Sequence, residues 1–184
     1  MAYRNGTYIA FHAHGTTDPI ESDIRYYNLL KAWHVREVND FEFVNSHDKV
    51  GSVRDSSKKA TLEASLRARL LRSKNMILII GSTTKLDTDW VPFEIRYAID
   101  DCKIPIIAAY PGYEVIMAPA ELRQLWPSAL AARIDNGTAH VIHVPFLEKP
   151  LTDAVSQFDM NRFPKDGGLG FYSEAAYRSW GLRK

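Results

Sequence analysis

The 184-residue chain predicts an α/β fold, an open five-stranded parallel sheet with helices on both faces and a short C-terminal extension. Two observations carry that reading. Short apolar runs alternate with stretches of helical periodicity along most of the chain. The central run, "NMILIIGS", holds five consecutive apolar residues, as a strand buried on both faces does. Strands alternating with helices imply parallel pairing through right-handed crossovers, and the expected arrangement is flavodoxin-like. With 46% apolar and 24% charged residues, the composition is that of a globular domain with a substantial core.

The elements follow in order. "TYIAFHA" (residues 7–13) reads as the first strand. Residues 21–35 read as a helix with Ile24, Tyr27, Leu30 and either Trp33 or His34 on its buried stripe. "FEFVNSH" (residues 41–47) is a second strand with partial alternation, followed by the polar loop "DKVGSVRDSS". The next helix, "KKATLEASLRARLLRS", places Leu62, Leu66 and Leu70 on one stripe. Residues 75–82 are the third strand, and "STTKLDTD" is the loop after it. Asp89 reads as the N-cap of the following helix, and Pro92 falls in its first turn, where a missing N–H is tolerated. That helix should bury Val91, Ile95, Ala98, Ile99 and Cys102. Residues 104–111 form a fourth strand, "APAELRQLWPSALA" a short helix interrupted at Pro127, and residues 139–146 a fifth strand. A last helix lies near residues 151–158. The expected division is a domain over residues 1–158 and an extension over 159–184, packed on it or trailing from it, with "DGGLG" as a flexible turn.

Several functions are disfavoured by the same residues. A net charge of +1 provides no basic field for nucleic acid. The single cysteine, Cys102, excludes an internal disulfide framework and reads as a buried structural thiol. No run approaches the roughly 18 apolar residues needed to span a bilayer, and the first apolar stretch breaks after four residues, unlike a signal peptide. The expectation is a cytoplasmic protein with no membrane partner. Walker, G-x-G-x-x-G and Gly-x-Ser-x-Gly patterns are all missing. His12-x-His14 could offer two metal ligands from one strand face, but no third is evident, so no metal is expected. His140 and His143 read as fifth-strand packing or surface residues.

In open parallel sheets ligands bind beyond the carboxyl ends of the strands. That rule selects the loops "HAHGTTD", "SHDKVGSVRDSS", "GSTTKLDTDW" and "YPGYEV". The first and third offer His12, His14, Thr16, Thr17, Ser82, Thr83 and Thr84, and the third runs into a helix N-terminus that favours an anion. One turn into that helix stands Glu94, four residues after Trp90 and so on its face. Spacing alone leaves two readings open. Trp90 packs and Glu94 is a surface carboxylate near a helix start, where negative charge is favourable, or Glu94 meets a ligand's hydroxyls while Trp90 shields it.

The segment "SKNMILIIGSTTKLDTDWVPFEIRYAIDDCKIPIIAAYPG" resembles the core of a bacterial TIR or TIR-like domain, and is similar to the TIR proteins of the Thoeris antiphage system. An apolar strand ends in Gly81-Ser82, a short polar loop follows, Trp90-Val-x-x-Glu94-Ile opens a helix, and a second apolar strand comes soon after, all within about forty residues. The first strand with Phe11 and the loop after the second strand fall where a TIR domain has its first strand and BB loop. The resemblance covers residues 7 to about 158. One departure is "FHAHGTTD", with two histidines where many TIR domains carry a Ser or Asp signature.

The resemblance implies an enzyme that cleaves the nicotinamide–ribose bond of NAD, with Glu94 as the required carboxylate. NAD is then substrate and no cofactor is implied. The released ribosyl cation is captured internally, giving a cyclic ADP-ribose isomer read by a separate effector protein, or by water, giving ADP-ribose. Homo-oligomers through TIR contacts are also implied. Nicotinamide is already cationic and leaves as a neutral molecule, so one carboxylate that stabilises an oxocarbenium-like ribose is sufficient. Around it the expected substrate-binding residues are Trp90, Phe11, His12, Ser82 and Thr83, with Lys49 and Arg54 either meeting the pyrophosphate or standing as solvated loop cations. Three competing readings have distinct signatures. A nucleoside deoxyribosyltransferase would exchange bases and leave NAD untouched. A non-catalytic TIR scaffold would tolerate Glu94→Ala but not changes in residues 48–57. A response-regulator receiver domain would need an acidic cluster that no strand end here supplies.

Overall fold

A computed structural model describes residues 4–12, 23–36, 43–45 and 56–183. The expected five-stranded parallel sheet is present. Its strands are β1 (Gly6–Ala10), β2 (Phe43–Asn45), β3 (Ser73–Ile79), β4 (Ile106–Tyr110) and β5 (Val141–Pro145). Their order is β2-β1-β3-β4-β5, and every pairing is parallel. The crossovers run through α1 (Ile24–Arg36), α2 (Ser56–Leu70), α3 (Trp90–Arg96) and α4 (Ser128–Asp135), and α5 (Glu148–Gln157) follows β5.

Side-chain alternation along the strands builds two cores. Tyr8, Ala10, Met76, Leu78, Ile106, Ala108 and Tyr110 face one side, against Leu66 and Leu70 of α2, Val91 and Ile95 of α3, and Leu130 of α4. Ile9, Ile77, Ile79, Ile107 and Val144 face the other, against Tyr27 and Leu30 of α1 and Leu151 and Val155 of α5. The stripe expected on α3 is buried throughout: Val91, Ile95, Ala98, Ile99 and Cys102. Beyond Arg96 the helix widens into a π-turn over Tyr97–Asp101. Pro127 splits the expected fourth helix into a 3-10 stretch, Pro119–Leu125, and α4. Trp126 before it is extended (ψ 136°), as a residue preceding proline must be.

The C-terminal segment adds a strand that the periodicity did not reveal. β6 (Gly170–Phe171) pairs parallel with β5, and α6 (Glu174–Ser179) follows. The expected flexible turn at 166–170 is packed instead. Gly168 is buried, and a Cβ at Gly170 would lie 2.7 Å from the Val141 carbonyl, so only glycine brings this backbone so close. Tyr177 is fully buried, and its hydroxyl donates to the Ile116 carbonyl and accepts from the Ile116 amide, both at 3.1 Å.

His143 anchors the same region, as fifth-strand packing. Its Nε2 donates to the Gly168 carbonyl at 2.9 Å, which leaves Nδ1 to accept from the Tyr110 hydroxyl at 2.7 Å. Tyr110 in turn accepts from Trp126 Nε1 at 2.8 Å. Burial pushes the imidazole down to about 4, so it stays neutral.

Candidate functional site

The strand order places the topological switch point between β1 and β3, since the chain leaves β1 toward β2 and returns across it to β3. The carboxyl ends of these two strands are tied by buried polar groups. The Thr84 hydroxyl donates to Asp23 Oδ2 at 3.0 Å and accepts from the Gly81 amide at 2.8 Å. The Asp23 amide donates to the His12 carbonyl at 3.2 Å. A Cβ at Gly81 would collide with Asp23 Oδ1, so a side chain there would displace the carboxylate that accepts from Thr84. The loop carrying Ser82 and Thr83 is therefore fixed to the start of α1.

The entry into α3 differs from the expectation at its cap. The Asp89 side chain makes no capping bond. It pairs with Lys59 Nζ at 2.8 Å instead. Asp87 Oδ1 accepts from the amides of Asp89 and Trp90, at 2.8 and 2.9 Å. Asp89 sits at φ −117°, ψ −72° rather than in the extended conformation typical of an N-cap, and the residue two positions earlier closes the turn. The same contacts correct the expected anion site at this helix start: two of its amides already hold the protein's own carboxylate.

One turn further, Glu94 is 1% exposed, which removes the surface-carboxylate reading. Its Oε1 accepts from the hydroxyl of Tyr8, fully buried in the middle of β1, at 2.5 Å. Its Oε2 is equally buried and has no hydrogen-bond partner among the described residues. Such an orphan is costly, roughly 1–3 kcal/mol for a buried polar atom. Burial pushes the carboxyl up to about 8, the Tyr8 hydrogen bond pulls it partly back, and the Asp87 charge adds to the rise. The resting group is thus a largely protonated acid at neutral pH, with one oxygen held and one open.

The other expected site residues fall in different places. Trp90 is half-buried, edge-on to Phe93 at 6.4 Å, with Lys59 Nζ 5.4 Å from its ring centre. Phe93 stacks in turn on Tyr97, and Arg67 lies over both rings. Phe11 is buried in the opposite core, stacked on Tyr27 at 5.3 Å, so it does not share a face with Glu94. His12 is half-buried at the end of β1. Ser82 is exposed and Thr83 half-buried on the anchored loop. Lys49 and Arg54, with His14, Thr16 and Thr17, lie outside the described residues, as does most of the 48–57 loop. Among the described residues no group of three or more His, Cys, Asp or Glu is placed to hold a metal ion, and no helix is long and apolar enough to cross a membrane.

Three residues that matter here escaped the sequence reading: Tyr8, Asp23 and Asp87. Asp23, immediately before the apolar pattern of α1, carried a helix-start signal that could have found it. Tyr8 carried none, being one aromatic in an apolar strand.

A parallel sheet of this order is a flavodoxin-like α/β fold, and a buried glutamate one turn into the helix after its third strand is consistent with a TIR-like domain. The family described as Thoeris protein ThsB, TIR-like domain, matches residues 8–115, more than half of the chain. The chain belongs to that family. The matched span runs from Tyr8 past Glu94 and β4.

Proposed function

We propose that this protein is an NAD-consuming enzyme of antiphage defence, with Glu94 as its essential carboxylate. The observation that carries the reading is the open Oε2 of Glu94, buried next to Tyr8 of β1 and without a hydrogen-bond partner among the described residues. A ribose hydroxyl is the kind of group that would complete it. As the C–N bond to nicotinamide breaks, its electron pair leaves with nicotinamide, which becomes neutral, and positive charge passes to the ribose. An ionised Glu94 stabilises that charge, and burial makes each unit of charge–charge attraction worth more than in water.

Glu94 must lose its proton to do this. The cationic nicotinamide ring supplies the incentive, because a nearby positive charge favours the carboxylate. The reaction should therefore speed up as pH rises toward about 8. Internal capture of the ribosyl cation by a nucleophile of the substrate itself yields a cyclic ADP-ribose isomer and a proton, and we assign the product as a signal to a separate effector. At 1% exposure the carboxyl meets substrate only once the surface over it parts, which suits an enzyme silent until infection triggers it. The test is incubation of NAD with concentrated protein, or with protein from phage-infected cells, followed by the mass of the nucleotide formed. A cyclic product is lighter than ADP-ribose by one water. Unchanged NAD from triggered protein refutes the reading.

A further inference from the structure

Tyr8 sits where a phenylalanine would serve packing equally well. Its neighbours on that face of the sheet, Ala10, Met76 and Leu78, are all apolar. A buried hydroxyl in such surroundings is unfavourable unless it is hydrogen-bonded. The bond it makes runs 86 residues along the chain to Glu94 Oε1. We propose that Tyr8 is a positioning residue for Glu94: its hydroxyl pins Oε1 and leaves Oε2 as the oxygen that receives the ligand. This rests on the reading of Glu94 as the essential carboxylate.

The chemistry of the pair follows from its donor and acceptor. A phenol donating to a carboxylic acid makes an ordinary hydrogen bond, and the same phenol donating to a carboxylate makes a charge-assisted one, about twice as strong. Tyr8 therefore favours the ionised form that the reaction needs, against the burial that opposes it. Among the described residues, Asp87, on the loop before α3, also bears on Glu94 and pushes the other way. The cations of α2, Lys59 and Arg67, lie over the rings of Trp90, Phe93 and Tyr97, and Arg133 of α4 is held by Asp100. Tyr8 is the hydrogen-bond donor in the set that favours the Glu94 carboxylate.

Tyr8→Phe separates positioning from packing. Unfolding is followed against pH for the wild type, Tyr8→Phe, Glu94→Gln and the double variant, and NAD cleavage is followed against pH for the first two. The expected result is that Tyr8→Phe moves the upper end of the Glu94-linked stability loss, near pH 8 in the wild type, upward by roughly one pH unit, the tenfold worth of a hydrogen bond to a charge. That loss should be absent in both variants lacking Glu94. Turnover should fall roughly 10–100-fold with KM little changed, and its pH profile should move up by the same amount. Stability and turnover profiles that superimpose on wild type overturn the proposal. A stability midpoint that moves in protein that never cleaves NAD keeps the Tyr8–Glu94 coupling and refutes the NAD reading. Should Tyr8→Phe fail to fold, 3-fluorotyrosine at position 8 preserves volume and donates more strongly. It should lower the midpoint, and an unmoved midpoint overturns the proposal.

Discussion

Two buried polar clusters occupy the same face of the sheet, and their difference separates structure from function. Around β4 and β5, Trp126, Tyr110, His143 and Gly168 form a chain in which each donor has an acceptor, and no atom of His143 or Tyr110 is left over. Beside β1 and β3, Tyr8 satisfies one oxygen of Glu94 and nothing among the described residues satisfies the other. A closed network specifies a core. An open one retains capacity for a ligand at a cost to stability. Neither burial nor an unmet hydrogen bond marks a functional group by itself, since Thr7 Oγ1 and Asn75 Oδ1 are also buried with no hydrogen-bond partner among the described residues; Glu94 adds to both a titratable carboxyl one turn into the helix after β3.

The two clusters should also respond oppositely to pH. Between about 4.5 and about 8 the folded protein keeps a proton on Glu94 that the unfolded chain has released, so stability falls as pH rises through that window. Between about 4 and 6.5 the unfolded chain protonates His143 while the folded protein does not, so stability falls as pH drops through that one.

The largest effect should come from Glu94→Gln. It is expected to reduce NAD cleavage by about a hundredfold or more, while unfolding experiments show it gaining roughly 3–5 kcal/mol on wild type between pH 5 and pH 9. A variant that loses stability as well as activity would make Glu94 a structural group like His143. Next, His143→Leu leaves the Tyr110 O–H without its acceptor and the Gly168 carbonyl without its donor. Denaturant titration should show about 2–4 kcal/mol of destabilisation, no acid-side loss of the kind described, and an undiminished turnover per folded molecule. Gly81→Ala drives a methyl into the Asp23 carboxylate and breaks the Thr84 tie. A stability loss of about 1–3 kcal/mol is expected, with a loop that positions Ser82 and Thr83 less well and a raised KM for NAD. Smallest of all, Arg123→Gln removes a bidentate pair with Asp135 at the exposed surface. The melting temperature and turnover should stay within error, because solvent screens such pairs.

The sequence was informative where structure is local. Alternating apolar runs disclosed five strands and their crossovers, and the four-residue spacing of Trp90 and Glu94 marked the helix of the candidate site. It was silent where structure depends on distant contacts. Alternation assigns Tyr8 to a face but cannot name a partner 86 residues away. β6 has two residues, too few for a period, and exists because Gly170 lets the backbone close on β5. The choice of Asp87 over Asp89 as the cap was decided by backbone angles that two aspartates in "DTD" do not encode. The depth of Glu94 was likewise hidden, since its position beside an apolar stripe fits a rim or a core.

The most direct measurement is nicotinamide release from NAD by triggered wild-type protein and by Glu94→Gln protein of matched fold. The account predicts release by the wild type, increasing as pH rises toward about 8, and none above background from the variant. Equal release from both, or an intact NAD pool with the wild type under triggering conditions, would contradict it.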